Sequence, residues 1–180
     1  MEPEILFTSS RVDEAIRTMV MQIREEFQRE SSFLIVGIQS GGLNVAKRLR
    51  TALEGFGMSS IYLGSVDTTL YRDDINRLLP AKGLLPMEVP VSVEDAAILL
   101  VDDVIFTGRS VRAAMDAIFF LGRPRKIRLA VLVDRGHREL PIQPEYTGFR
   151  IETDYNDEVN VLWKDLEGRV EIAHGYGSQK

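Results

Sequence analysis

The chain has 180 residues with 44% hydrophobic and 27% charged side chains, ordinary values for a globular protein large enough to bury a core unaided. It has no cysteine, which excludes a disulfide framework, thiolate catalysis and any cysteine-bound metal. A net charge of −5 argues against a dominant nucleic-acid footprint, because such a footprint shows as a basic stripe that displaces counterions from phosphates.

The start, Met1-Glu2-Pro3-Glu4, is acidic and lacks the basic and apolar regions of a secretory leader. The apolar run from Ala96 to Val101 is far shorter than the roughly 20 residues that span a bilayer. A soluble, cytoplasmic protein without a membrane partner is expected.

In chain order, Ser10 with Asp13 three residues on resembles a capping box, and Val12, Ile16, Val20, Ile23 and Phe27 follow at near-helical spacing. This predicts an amphipathic helix from Arg11 to about Glu30. Phe33 to Ile38 is a continuous apolar run of strand length, broken by Gly41-Gly42, after which Leu43, Ala46, Leu49 and Leu53 give a second helix face. Ile61 to Val66 and Ala97 to Val101 read as further strands. A helix follows from about Arg109 to Leu121, stopped by Gly122-Arg123-Pro124, and Ile127 to Val133 is a fourth strand. Apolar runs alternating with helices predict an α/β fold, a mainly parallel sheet with helices on both faces.

Two stretches break the alternation. Tyr71 to Val91 has no period and carries Pro80, Gly83, Pro86 and Pro90, as a lid or flexible loop does. Val159, Val161 and Trp163 alternate, Glu167-Gly168 reads as a turn, and Val170 and Ile172 follow, which predicts a hairpin. The tail from Gly175 to Lys180 reads as disordered. No repeat or linker divides the chain, so 1–180 is expected to be one domain, with the loop at about 71–91 and a hood at about 134–173.

The chemistry concentrates in Ile98 to Ser110. A buried strand ends in Asp102 and Asp103, and Thr107-Gly108-Arg109-Ser110 opens a helix, at the strand end where open α/β sheets bind ligands. Backbone N–H groups and two hydroxyls at a helix N-terminus form an anion cup, and Gly108 allows close approach to a phosphate. Asp102 and Asp103 accept hydrogen bonds, which matches a vicinal diol. Phosphate at one end and a diol at the other describe a ribose 5-phosphate. Two aspartates closing a strand also occur in phosphoaspartate receiver domains, but there the strand opens the domain and a later strand presents a lysine; neither holds here.

Ile98–Ser110 resembles the PRPP (5-phosphoribosyl-1-pyrophosphate) signature of type I phosphoribosyltransferases. Leu70-Tyr71-Arg72-Asp73-Asp74, Gly122-Arg123-Pro124 and Leu132 to Ile142 narrow the likeness to the PyrR family, bacterial pyrimidine-operon regulators that are also uracil phosphoribosyltransferases. The resemblance runs from about Ala15 to Tyr146. It implies a type I phosphoribosyltransferase fold with a hood, in which PRPP binds with Mg²⁺ and uracil displaces pyrophosphate to give UMP. By this likeness Asp102 and Asp103 hold the ribose, Thr107 to Ser110 the 5-phosphate, and Ser40, Gly41 and Gly42 the pyrophosphate. The loop opened by Tyr71 and Arg72 closes over the site, and Asp134, Arg135, His137 and Arg138 lie on the base and nucleotide side. The metal is held mainly by substrate oxygens, so no protein ligand is named. A homodimer or higher homo-oligomer, and binding to a pyrimidine-operon mRNA leader, are further implications.

Alternatives at single residues are plainer. Arg135 and Arg138 could simply pair with Glu139 and other carboxylates, His137 could be a surface histidine, and His174 is expected to be solvent-exposed and inert. Two departures also matter. Gln39-Ser40-Gly41-Gly42 lacks the arginine the family commonly carries in this turn, which lowers the expected PRPP affinity. Gln143 and Phe149 stand where basic residues are expected, and Glu152, Asp154, Asp157 and Glu158 form an acidic stretch that repels RNA phosphates. A purine-base transferase, or a UMP- or PRPP-sensing RNA-binding regulator without turnover, are the competing functions.

Overall fold

The computed structural model describes residues 3–68, 86–164 and 167–174. Tyr71, Arg72, most of the expected loop and the tail from Gly175 lie outside the described residues. The chain runs β1 (Glu4–Phe7), α1 (Ser9–Phe27), β2 (Phe33–Ile38), α2 (Gly41–Gly55), β3 (Ile61–Val66) and β4 (Met87–Glu88). It continues with β5 (Ala97–Ile105), α3 (Arg109–Leu121), β6 (Lys126–Asp134), β7 (Tyr146–Arg150), β8 (Glu158–Lys164) and β9 (Glu167–Ala173).

Helix α1 forms because Val12, Ile16, Met19, Val20, Ile23 and Phe27 recur every three or four residues and are all buried. It begins at Ser9, and the capping box expected at Ser10 does not form. Thr8 holds the extended position before the helix without a side-chain cap, and Ser10 Oγ lies 3.1 Å from Thr8 Oγ1. The Val12 N–H donating to Thr8 O sets the first turn. The helix stops at Phe27, short of Glu30. Phe27 stacks there on Phe33 at 4.3 Å between ring centres, and Glu30 turns to Arg125 and Lys126.

The main sheet has the order β4-β3-β2-β5-β6-β7, parallel except for β4 against β3. Strand β2 is buried along its whole length, which is why its sequence is continuously apolar rather than alternating. The two-residue period shows in β5: Leu99 and Val101 join the core under α1 and α2, while Ile98 and Leu100 join the core under α3. Each fully buried Leu or Ile contributes about 1.5–3 kcal/mol over an exposed one.

A second, three-stranded antiparallel sheet has the order β1-β9-β8. The expected hairpin is β8 and β9, but Glu167-Gly168 is not its turn. Glu167 and Gly168 lie inside β9, opposite Lys164 and Trp163. The N-terminal β1 completes the sheet, with Glu4 opposite Ile172. Phe7 of β1 stacks on Phe149 of β7 at 3.8 Å, joining the two sheets. β7 falls within the stretch assigned to the hood yet pairs with the main sheet, and β4 falls within the stretch read as loop. Among the described residues no helix is long and apolar enough to cross a membrane.

Candidate active site

The ends of β2 and β5 meet at one point. An ideal Cβ on Gly41 would overlap the Asp103 carboxylate, and one on Gly42 would fall 2.5 Å from Val101 O and 2.8 Å from Asp102 Cα. Glycine is therefore what lets the turn before α2 lie against the two aspartates. The Gln39–Ser40 peptide bond is cis. Gln39 ties the turn to β3, its N–H donating to Val66 O at 2.8 Å and its amide to Ser65 Oγ at 3.2 Å.

Asp102 is buried and accepts the Asp103 N–H at 3.0 Å, while Asp103 accepts the Val104 N–H at 3.0 Å. Beyond them Gly108, at φ 93, ends the turn in a left-handed conformation and starts α3. The first turn of α3 has no acidic residue of its own, so its amides and dipole are turned toward the site. Buried Thr107 accepts the Arg109 N–H on Oγ1 at 3.3 Å. Its carbonyl takes the N–H groups of Glu139 and Leu140 at 3.0 and 3.2 Å, pinning the cup to the segment after β6. A cavity of about 380 Å³ opens here, lined by Asp102, Phe106 and Thr107 to Ser110 on one side and by Arg135 and Glu158 to Asn160 on the other.

The residues after β6 are mostly engaged with one another. Asp134 takes the Gly136 N–H at 3.0 Å and the Arg138 guanidinium at 2.6 Å. Arg138 also donates to Phe106 O (2.9 Å), Gly136 O (3.1 Å) and Ile142 O (3.1 Å), so it clasps the backbone around the cup. Arg135 is buried over the Phe106 ring at 4.2 Å, donating to Thr153 Oγ1, Asp154 O and Tyr155 O. Burial pulls its guanidinium below the usual range, against the opposing pull of Asp157 and Glu158. His137 has φ 58 and sets Nε2 2.7 Å from Thr153 O, so it is part of this fabric rather than a loose surface group.

Two sequence expectations need correction. Glu139 pairs with Arg109, through Nε at 3.0 Å and Nη2 at 2.8 Å, and not with Arg135 or Arg138, whereas the expected pairing with another carboxylate holds for Arg138, which meets Asp134. The partner that draws it is on another element, which spacing along the chain does not reveal. His174 is only partly exposed, with Nδ1 3.3 Å from buried Asp157 and Nε2 3.9 Å from Glu4, because β9 delivers it against β1. Phe106, Glu139, Tyr155 and the β8 residues Glu158 to Asn160 were not singled out for the site. Phe106 stood inside the motif as an unexplained aromatic. Tyr155 sat in an acidic stretch with no period to mark it.

Of the residues singled out from sequence, the fold brings Gly41, Gly42, Asp102, Asp103 and the Thr107–Ser110 turn to one edge of the sheet, and Asp134, Arg135, His137 and Arg138 to the adjoining rim. Ser40 leads into α2 beside them.

The phosphoribosyl transferase domain family matches residues 5–165. The chain is 43% identical over 163 residues to the bifunctional protein PyrR of Enterococcus faecalis, covering 89% of this chain and 91% of that protein. It is 38% identical over 178 residues to the bifunctional protein PyrR of Syntrophobacter fumaroxidans, covering 98% and 96%. Among solved structures it resembles a hypoxanthine-guanine phosphoribosyltransferase from Bacillus anthracis, with a TM-score of 0.73 at 16% identity over 96% of this chain and 100% of that one. The hypoxanthine phosphoribosyltransferase of Trypanosoma cruzi gives 0.72 at 18% identity over 94% and 91%. At such identities these structures speak for the fold alone. The fold is that of the type I phosphoribosyltransferases, and the chain is a pentosyltransferase belonging to the PyrR family.

Proposed function

We propose that the chain transfers ribose 5-phosphate from PRPP to uracil, giving UMP and pyrophosphate. The observation that carries this reading is the apposition of Gly41-Gly42 to Asp102 and Asp103, beside the Thr107–Ser110 cup, in a chain of the PyrR family. The cup's amides and hydroxyls take the 5-phosphate, and Asp102 and Asp103 take the ribose hydroxyls. The glycine turn receives the pyrophosphate. The bond from ribose C1 to the pyrophosphate oxygen breaks as the bond to uracil nitrogen forms, and the uracil proton leaves with solvent or pyrophosphate.

Positive charge grows on the ribose in this displacement, and nearby carboxylates favour it. Asp102 and Asp103 offer hard oxygen donors at the strand end. That donor set fits a Mg²⁺ carried by substrate oxygens and water. When bound, it would neutralise charge on the leaving pyrophosphate. Arg135, over Phe106 in the cavity wall, is assigned to the base side together with His137. The reading also takes the protein to be a cytoplasmic homo-oligomer.

The test is nucleotide formation from PRPP and Mg²⁺ with uracil, guanine, hypoxanthine or xanthine supplied singly. UMP from uracil is expected; a purine base used far better would overturn the assignment.

A second reading, binding to a pyrimidine-operon mRNA leader, is supported by membership of the PyrR family, whose relatives are bifunctional proteins. The local charges oppose it: Glu152, Asp154, Asp157 and Glu158 crowd one segment, and Arg138 is held by Asp134 and three carbonyls. Titration with leader RNA at several salt concentrations decides it, since a phosphate-binding surface gives affinity that falls steeply with salt. No UMP-dependent binding at low salt removes this reading.

A further inference from the structure

Three aromatic rings meet at the rim of the cavity. Phe106, which lines it, lies 5.1 Å from Tyr155 and 5.8 Å from His137, and His137 lies 5.6 Å from Tyr155. All three pairs are tilted or edge-on, the arrangement that aromatic quadrupoles favour. Tyr155 is nonetheless 54% exposed. Its hydroxyl donates to Glu139 Oε1 at 3.0 Å, while Glu139 Oε2 holds Arg109 of the phosphate turn. The Glu139 backbone is itself fixed, its N–H bonding to Thr107 O at 3.0 Å. One carboxylate therefore connects the first residue of α3 to a ring on the loop that precedes β8.

We propose that Tyr155 is the outer aromatic wall of the acceptor-base pocket and that Glu139 is the positioning residue that sets it. The proposal rests on the reading of cup and cavity given above. A planar base attached to a ribose whose phosphate sits at Thr107–Ser110 binds more tightly against the face or edge of an aromatic ring. Phe106 lies beneath the Arg135 guanidinium, and of the three rings at that rim Tyr155 is the most exposed. A tyrosine on a loop would lose side-chain freedom on meeting the base. The hydrogen bond to Glu139 removes part of that freedom beforehand, which favours binding. Because Glu139 also holds Arg109, the wall's position is referred to the phosphate turn and not only to its own loop.

The experiment compares two ligands by calorimetric titration of the full chain: UMP, and ribose 5-phosphate, which has the same phosphate and diol but no base. Tyr155→Ala is expected to weaken UMP about 5- to 10-fold and to leave ribose 5-phosphate within about 2-fold, the loss of one aromatic contact. Tyr155→Phe keeps the ring and loses its anchor, so UMP affinity is expected to fall about 3-fold, the worth of one modest hydrogen bond. Glu139→Gln is expected to lower the ratio of UMP to ribose 5-phosphate affinity by a similar factor. The double variant Tyr155→Phe with Glu139→Gln should be no worse in that ratio than the poorer single variant, because both cut the same link. Unchanged UMP affinity in Tyr155→Ala, or an equal loss for both ligands, overturns the wall. Additive losses in the double variant overturn the positioning role of Glu139. If the unaltered protein binds neither ligand, the cup reading fails first and the proposal falls with it; that outcome is distinct because it appears without any substitution.

Discussion

Replacing Arg138 by methionine separates a structural clasp from a nucleotide contact. The two side chains of the Arg138–Asp134 pair are 11% and 12% exposed, and the arginine serves three backbone carbonyls besides. Methionine approximates the length of the stem but leaves Asp134 with the Gly136 N–H as its remaining described hydrogen bond. Stranding one charge of a buried pair costs about 3–5 kcal/mol. Phe106, Gly136 and Ile142 are only half-buried, so water takes over part of the carbonyl hydrogen bonding, and about 3 kcal/mol is the working figure. With a urea m-value of about 2 kcal/mol/M, the unfolding midpoint should drop by about 1.5 M. Adding Asp134→Asn removes the stranded charge and should recover about half of the loss. Unfolding followed by circular dichroism reads both shifts. A loss below about 1 kcal/mol in Arg138→Met, together with a large loss of UMP affinity, would falsify the clasp and return Arg138 to the ligand.

Other substitutions probe the site and the opposite end of the sheet. Asp103→Asn should cut turnover by at least about 100-fold with an unfolding midpoint near that of the parent, since it removes a charge that favours the displacement; unchanged turnover would sink the ribose assignment. Gly41→Ala and Gly42→Ala should differ in kind. The first meets the movable Asp103 carboxylate and should depress turnover with little loss of stability, while the second meets the Val101 and Asp102 backbone and should destabilise the fold by about 1–3 kcal/mol. Equal thermal melts for the two would contradict this.

At the N-terminal ends of β6 and β7, Glu26 takes the Tyr146 hydroxyl at 2.5 Å and meets Lys126 and Arg128. Burial alone would raise its carboxyl, but the Tyr146 hydrogen bond and the two cations hold it below the ordinary 4.5. A carboxylate depressed in the folded state adds stability that is complete above the unfolded pKa and disappears as pH falls through the folded one. Glu26→Gln should therefore lower stability at neutral pH and converge with the parent under acid conditions. A gap that stays constant from pH 7 down through the acid limb would disprove the network's role.

Much of the fold was legible along the chain because burial on both faces leaves a strong mark. Phe33–Ile38 and Ile61–Val66 were read to the residue, and α3 was bounded at Arg109 and Leu121 by its period and by Gly122-Arg123-Pro124. The strands that were missed lack such a mark. Met87–Glu88 is two residues long, and Glu4–Phe7 is a strand only because β9 lies beside it. Glu167-Gly168 looked like a turn from composition, yet Gly168 sits in the ladder because its missing Cβ is the space the Trp163 ring fills. Phe149, conspicuous as a departure from a basic position, serves to stack on Phe7.

The sequence by itself determined which residues stand together at the candidate site. An apolar strand, two aspartates and a glycine–hydroxyl turn at a helix start are contiguous, and contiguous residues keep their order however the rest folds. Only the tertiary structure decided what surrounds that cup. It set Gly41 against Asp103, joined Glu139 to Arg109 and Tyr155 across elements, closed Arg138 on Asp134, and built the hood from both ends of the chain. The physical reason is that a pairwise contact between distant residues carries little of its own in local propensity. It appears once packed sheets bring the partners within a few ångströms, and the exposed ring of Tyr155 acquires meaning only from the cavity beside it.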